Sequence, residues 1–285
     1  KALAAYEREA MFYRHCPDSP ANPPKHYLSV QMGDDQEFMM LIEDLGNCRF
    51  VAQSGEIDVA DARIGLEGLA RHHAHYWDTP ELRNMNWLRS YEEWADIYPP
   101  QIETGWPIFE KHFSYLIPAE LKDAFPLGND LYSDITRHVT RSLPSTLMHG
   151  DARIENMAID GSASARFYDW QVCACGPAAY DVVYYLGSSL DPDTWLDHGQ
   201  SLIDSYLAEL KNSGVTGYER SDLDRDMQLC ACLLIGFVGV VGNLFRDPGP
   251  AEINVVEATI PRFMQIMADL DVNHALREFA DTIAK

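Results

Sequence analysis

His149-Gly150-Asp151-Ala152-Arg153-Ile154-Glu155-Asn156 is the stretch on which the reading of this chain turns. It follows a short predicted strand, Ser145 to His149, and sets a carboxylate and an amide five positions apart in a turn. Gly150 allows a tight backbone beside Asp151. Thirteen positions after Asn156 comes Asp169, on a second predicted strand, Ala165 to Trp170, with a third between them at Asn156 to Ile159. Outward from this small β cluster the pattern changes. Before it, apolar residues recur at helical spacing over 1–15, from Asp58, over 105–125 (interrupted by Pro107) and over 128–142. After Pro177 the chain reads as helix throughout: 179–190, 193–213, 221–245, 253–271 and 273–283. Two strand candidates near the start, Tyr27 to Val30 and Glu37 to Glu43, flank the turn Gly33-Asp34-Asp35; the second is nearly all apolar and predicts a buried strand.

The offset from Asp151 to Asn156, followed by an aspartate at a strand end, is that of the protein-kinase catalytic loop. Phosphoryl transfer asks a protein for positioning and charge neutralisation more than for covalent work. One carboxylate faces the incoming hydroxyl and accepts its proton, while an amide oxygen and a second carboxylate hold Mg²⁺, a hard cation that keeps several waters and needs few protein ligands. Asp151, Asn156 and Asp169 supply that set. Arg153, two residues past the candidate base, is suited to brace a migrating phosphoryl group. His149 reads as a group that orients the loop by hydrogen bonding; as the base it would leave Asp151 without a job. Either short motif alone arises in turns for backbone reasons, but the two together, at this spacing, are specific.

Composition bounds the rest. The chain has 285 residues, enough for one large domain or two coupled lobes, and 46% hydrophobic with 23% charged residues is globular. A formal net charge of −22 without a basic cluster argues against nucleic acid and anionic membranes as partners. The six cysteines include two C-x-C pairs that do not match zinc spacing, and they read as free thiols in a reducing cytoplasm. The longest apolar run, Cys230 to Phe245, is short for a membrane span and holds three glycines and an asparagine, so it reads as a helix buried in the protein.

HGDARIEN, then FYDWQ, then GPAAYD ending at Asp181 resembles the aminoglycoside phosphotransferase and choline kinase superfamily, and most of all its ecdysteroid-kinase-like branch and related bacterial small-molecule phosphotransferases. YEREAMFYR is similar to the family's N-lobe helix and MMLIEDLGN to its hinge. The resemblance implies an α+β, two-lobed protein-kinase-like fold: a small strand-containing N-lobe with hinge over 1–45, incomplete here, and a large, mostly helical C-lobe over 46–285. It implies ATP between the lobes and Mg²⁺ on Asn156 and Asp169, with Asp151 as base and Arg153 beside it. Glu9 matches the helix glutamate that pairs with a nucleotide-binding lysine, Glu7 less well, and Glu43 and Leu45 fall where the hinge backbone meets adenine. Asp181 is expected to fix the catalytic loop by hydrogen bonds. The family's phosphate loop and strand lysine are not in this sequence; Lys1 falls on the same helix as Glu9 and cannot serve. The chain also opens inside a helical pattern, which predicts that strands precede it.

The implied activity is transfer of phosphate from Mg·ATP to a hydroxyl of a small molecule. Its rivals are a catalytically silent kinase-like module that binds a ligand and, more weakly, a metal-dependent hydrolase. Steroid-like, sugar-like, amino-alcohol and hydroxylated acyl acceptors all stay open, as does the oligomeric state. Trp77, Trp87, Trp94, Trp106, Trp195, Tyr91 and Tyr98 read as packing. His72, His73 and His75 read as solvent-facing or capping groups, and Glu81, Glu92, Glu93 and Asp96 as a solvated face.

Overall fold

Residues 5–32, 37–161 and 164–284 are described by the structure, a computed structural model. Lys1 and the turn Gly33-Asp34-Asp35 lie outside them. Helix α1 (Ala5–His15) buries Arg8, Ala10, Phe12 and Tyr13. Strands β1 (His26–Met32) and β2 (Glu37–Ile42) pair antiparallel as a two-stranded sheet. The expectation of a buried second strand fails. Met40 and Ile42 pack on the core, but Met39 and Leu41 are 46% and 56% exposed, because successive side chains of a strand point to opposite faces.

The larger part follows: β3 (Arg49–Phe50), α2 (Val59–His75), β4 (Arg89–Ser90), α3 (Trp94–Phe113), α4 (Ala124–Ser142), β5 (Ser145–Met148), β6 (Met157–Asp160), β7 (Ser164–Phe167), β8 (Ala174–Pro177), α5 (Ala178–Ser189), α6 (Pro192–Asn212), α7 (Arg220–Ala231), α8 (Leu234–Leu244), α9 (Pro250–Asp269) and α10 (Val272–Ile283). Two three-stranded sheets, in the orders β3-β6-β7 and β4-β8-β5, form the predicted β cluster. The strands not foreseen are β3 and β4, with two residues each, and β8, which carries a Gly and a Pro.

The helix expected over 105–125 instead starts at Trp94 and ends at Phe113, with Pro99, Pro100 and Pro107 inside it. Pro99 cannot donate to the Ala95 carbonyl; Ser133 Oγ on α4 donates to that carbonyl instead, at 2.6 Å. The helix expected over 221–245 breaks at Cys232 and Leu233 into α7 and α8. Together Arg220–Leu244 reach a mean hydropathy of 2.0 over 18 residues, long and apolar enough to cross a membrane, yet that stretch is 67% buried inside the protein. The glycines of α8 explain how. A Cβ on Gly105 would meet the Gly239 carbonyl oxygen at 1.8 Å, and one on Gly242 would meet the Gly105 oxygen at 2.0 Å. Helices α3 and α8 therefore touch backbone to backbone. The core around them includes Phe109, Phe113, Phe125, Tyr132 and Phe263.

Two features position the site. Strand β5 ends one residue before His149, and β6 pairs with β7 in a register that sets Met157 opposite Phe167. That hairpin brings Asn156 beside Tyr168, whose N–H donates to the Asn156 carbonyl at 3.1 Å. Asp169 follows directly. Phe12 of α1 stacks on Trp170, with centroids 3.7 Å apart and planes 9° from parallel, and so docks the first helix against the same turn.

Candidate active site

The loop at 149–156 is held from beneath by Asp181, in the first turn of α5 and 0% exposed. Its carboxylate accepts the N–H of His149 at 2.6 Å and that of Gly150 at 2.8 Å, as expected for a residue that fixes the loop. His73 Nε2 lies 3.1 Å from the same carboxylate, and its Nδ1 lies 2.8 Å from the Tyr206 hydroxyl. A carboxylate only accepts, which assigns the proton to Nε2. Gly150 has φ 82°, and a Cβ there would lie 2.6 Å from the Val172 carbonyl oxygen. Both the left-handed backbone and the close approach require glycine.

His149 turns inward. Its Nε2 donates to the Tyr168 carbonyl at 3.0 Å, its Nδ1 accepts the Asp151 N–H at 3.3 Å, and its ring lies 4.4 Å from that of Trp170. Both nitrogens are engaged in orienting the loop. His72 and His73 correct the sequence reading, because both are 0% exposed and only His75 of the three faces solvent. The face of α2 that carries them packs on the sheet under the loop: His72 accepts the Ser19 hydroxyl at 2.7 Å and donates to the Leu147 carbonyl at 2.6 Å. Burial, and then the neighbouring His73, hold its pKa well below the usual imidazole value, so it is neutral.

Asp151 and Asn156 are joined. Asn156 Nδ2 donates to Asp151 Oδ2 and to the Asp151 carbonyl, each at 2.9 Å. With its amide nitrogen engaged, Asn156 has its oxygen left to offer a cation. Arg153 Nε lies 3.4 Å from Asp151 Oδ2, while its Nη1 donates to Glu155 at 3.0 Å. Asp169 has φ 66°. Burial raises its pKa and the charge of Asp151 raises it further, against the lowering effect of His149 and Arg153. Glu9 of α1 is pushed up to about 7 by burial and by Asp169, while the Trp170 N–H and the Tyr13 hydroxyl favour its charged form. Asp151, Asn156, Asp169 and Glu9 thus share one neighbourhood, and no Lys or Arg ion-pairs with Glu9 among the described residues. Nor, among the described residues, do three or more His, Cys, Asp or Glu side chains cluster in a way that could hold a metal. All six cysteines are free.

Glu43 and Leu45 lie apart from this cluster. The Glu43 carboxylate takes a bidentate pair of hydrogen bonds from Arg166 of β7, at 3.0 and 2.6 Å, and the Lys25 N–H at 3.0 Å. Those bonds, Arg166 first, hold its pKa down at about 2. Leu45 is buried, and its carbonyl accepts the Cys48 N–H at 2.8 Å.

Gly150, Asp151 and Arg153 line one side of a cavity of about 390 Å³. The rest of its wall is mostly apolar: Trp94 and Tyr98 of α3, Tyr184 of α5, Phe237 and Val241 of α8, and Val256 and Ile260 of α9. Burial, with Asp151 adding to it, pushes the Tyr98 hydroxyl up to about 12 and the Tyr184 hydroxyl well up, so both stay protonated. Trp94 and Tyr98, one helical turn apart, read as packing in the sequence but form part of this wall. Gln53, Thr259 and His73 had no motif to mark them. Glu92, Glu93 and Asp96 do not line the cavity; they pair with Arg141, Arg89 and Arg137.

Solved structures share this architecture. The chain is similar to choline kinase from Cryptosporidium parvum Iowa II (TM-score 0.57, 10% identity, covering 97% of this chain and 80% of that one). It is similar to Plasmodium vivax ethanolamine kinase (0.53, 14%, 95% and 74%) and to a Ralstonia eutropha JMP134 protein assigned to the aminoglycoside phosphotransferases (0.54, 15%, 94% and 83%). The fold is the α+β, two-lobed, kinase-like fold of small-molecule kinases. The profile of the ecdysteroid kinase-like family matches residues 2–214, and the chain belongs to that family. No curated protein sequence matches it.

Proposed function

We propose that this protein transfers the terminal phosphoryl group of Mg·ATP to a hydroxyl of a small, largely apolar molecule, giving ADP and a phosphate monoester. The observation that carries this is the Asp151 carboxylate, fixed by Asn156 and facing a cavity large enough for a small organic acceptor. Asp151 would accept the hydroxyl proton as the oxygen attacks. Arg153, beside it, would brace the equatorial oxygens of the group in transit. The donor set suits magnesium: the free amide oxygen of Asn156 and the carboxylate of Asp169 are hard ligands, and the neighbouring Asp151 charge, which raises the pKa of Asp169, favours a cation there. When bound, the ion would neutralise phosphate charge. Glu9 would serve on the nucleotide side of Asp169. At the hinge, the Glu43 N–H and the Leu45 carbonyl are engaged within the protein, so the Glu43 carbonyl and the Leu45 N–H are the groups that would meet adenine.

The apolar wall supports an uncharged acceptor body over a cationic one, since Asp151 is the acidic side chain lining the cavity. The test is ADP release from Mg·ATP across a panel of hydroxylated compounds. Asp151→Asn and Asp169→Asn are each expected to lower turnover by about 10²–10⁴-fold with an unchanged circular dichroism spectrum. Turnover at the wild-type rate by either variant would overturn the assignment.

A further inference from the structure

Two polar atoms in the cavity wall away from Asp151 and Arg153 have no hydrogen-bond partner among the described residues. Gln53 and Thr259 are each 7% exposed, both line the cavity, and neither Gln53 Oε1 nor Thr259 Oγ1 has a hydrogen-bond partner among the described residues. A buried polar atom left in this state is costly, and native structures rarely keep one without a use.

The surroundings show that these atoms are presented, not stranded. A threonine inside a helix ordinarily turns its hydroxyl back to the carbonyl four residues earlier. Thr104, Thr136, Thr140 and Thr282 all do so, at 2.7–2.9 Å. Thr259 does not. The Gln53 amide is oriented by its nitrogen, which donates to the Ser188 carbonyl at 2.8 Å and leaves the oxygen as the open end. Arg262, one turn after Thr259 on α9, locks the pair together by donating to the carbonyls of Gln53 at 3.1 Å, Ser188 at 3.2 Å and Gly55 at 2.8 Å. The result is a hydrogen-bond acceptor and a hydroxyl, tied to each other's segments through Arg262, in a wall whose other polar side chains are Asp151, Arg153 and Gln171 and whose remainder is aliphatic and aromatic.

We infer that Gln53 and Thr259 form a second recognition point, so that the molecule filling this cavity is an apolar alcohol with a second hydroxyl that donates to Gln53 Oε1 and pairs with Thr259 Oγ1 while the first faces Asp151. This rests on the phosphotransfer reading only for the fate of the first hydroxyl; recognition of the second is a matter of binding.

Decane-1,10-diol and decan-1-ol separate the possibilities. The flexible chain adapts to the span between the two points, and the diol's identical ends let either reach Asp151. Binding is followed by intrinsic tryptophan fluorescence, with Trp94 in the wall, and chemistry by ADP release from Mg·ATP. In a purely apolar site the second hydroxyl is a penalty, and the mono-alcohol binds the more tightly. Here the wild type is expected to prefer the diol by about 5–10-fold. Thr259→Val, a near-isosteric change that removes a hydroxyl with no partner among the described residues, should reverse that preference by weakening the diol, bind decan-1-ol as tightly or more tightly, and leave the melting temperature equal or higher. Thr259→Ser should restore the preference, and Gln53→Met should also remove it. Preference of the wild type for decan-1-ol, binding of neither alcohol, or an unaltered ratio in Thr259→Val would each overturn the inference. Preference for the diol with no ADP released from either alcohol upholds it and counts against phosphotransfer to such alcohols.

Discussion

His73 on α2 and Asp181 on α5 face each other at 3.1 Å, both with fully buried side chains, and the same Asp181 oxygen accepts the N–H that begins the 149–156 loop. The loop's position is therefore set by two helices far apart in sequence. Asp181→Asn presents an amide nitrogen where an acceptor is needed. It is expected to lower stability by about 2–3 kcal/mol and kcat by more than tenfold. His73→Phe, which keeps the ring volume, should cost less stability and still reduce kcat. Thermal unfolding measured beside steady-state kinetics checks both, and an Asp181→Asn enzyme with wild-type kcat would show that the loop is held by other means.

Asp169 combines a left-handed backbone with a half-buried carboxylate beside Asp151. Without magnesium both features destabilise the fold. Asp169→Asn, which tolerates the same φ and carries no charge, should raise stability by about 1 kcal/mol at pH 7 while turnover is lost. Calorimetry without magnesium should record the higher melting temperature, and a lower one would contradict this account.

The Glu43–Arg166 pair ties the segment that follows β2 to β7. The Glu43 carboxyl titrates at about 2 in the folded chain, against about 4.3 when unfolded. Its stabilising effect is complete above the unfolded value and is lost as pH falls through the folded one. Because the side chain is 35% exposed, solvent screening reduces the effect to about 1 kcal/mol. Glu43→Gln should show that deficit in urea midpoints at pH 7, and the gap to wild type should narrow steadily below pH 4.5. A gap that is constant down to pH 3 would mean that charge plays no part.

Gly105 and Gly239 set the distance between α3 and α8. A methyl group on Gly239 would sit 2.7 Å from the Ile102 Cα, a backbone atom that cannot swing away. Gly239→Ala is expected to cost about 2–3 kcal/mol and to weaken acceptor binding, since Phe237 and Val241 ride on the displaced helix. Gly161→Ala, where nothing lies within 4 Å, should cost about 1 kcal/mol, as its φ of 63° alone dictates. Denaturant titrations of the two variants provide the comparison.

The fold class and the grouping of the loop residues were legible in the sequence. Asp151, Asn156 and Asp169 could be grouped because they lie along one short hairpin, and Asp181 because its motif sits close behind. His73, Gln53 and Thr259 were not. His73 and Gln53 each act through a partner more than 100 positions distant, Asp181 and Ser188, Thr259 Oγ1 has no hydrogen-bond partner among the described residues, and no local pattern encodes either situation. Helix α3 was mistaken at its start because three prolines argue against a helix in isolation. The hydroxyl of Ser133, which compensates for one of them, comes from another helix.

One feature of the cavity bears on how relatives of this chain diverge. The family match covers residues 2–214, whereas Phe237, Val241, Val256, Thr259 and Ile260 all come after it. The part of the wall built by α8 and α9 lies outside that match, while Gln53, Trp94, Tyr98 and Tyr184 lie within it. Exchange of side chains on those two helices would recarve one portion of the cavity and leave the 149–156 loop untouched. Relatives that share the loop therefore need not share a cavity shape, and comparing them calls for the two helices as well as the loop.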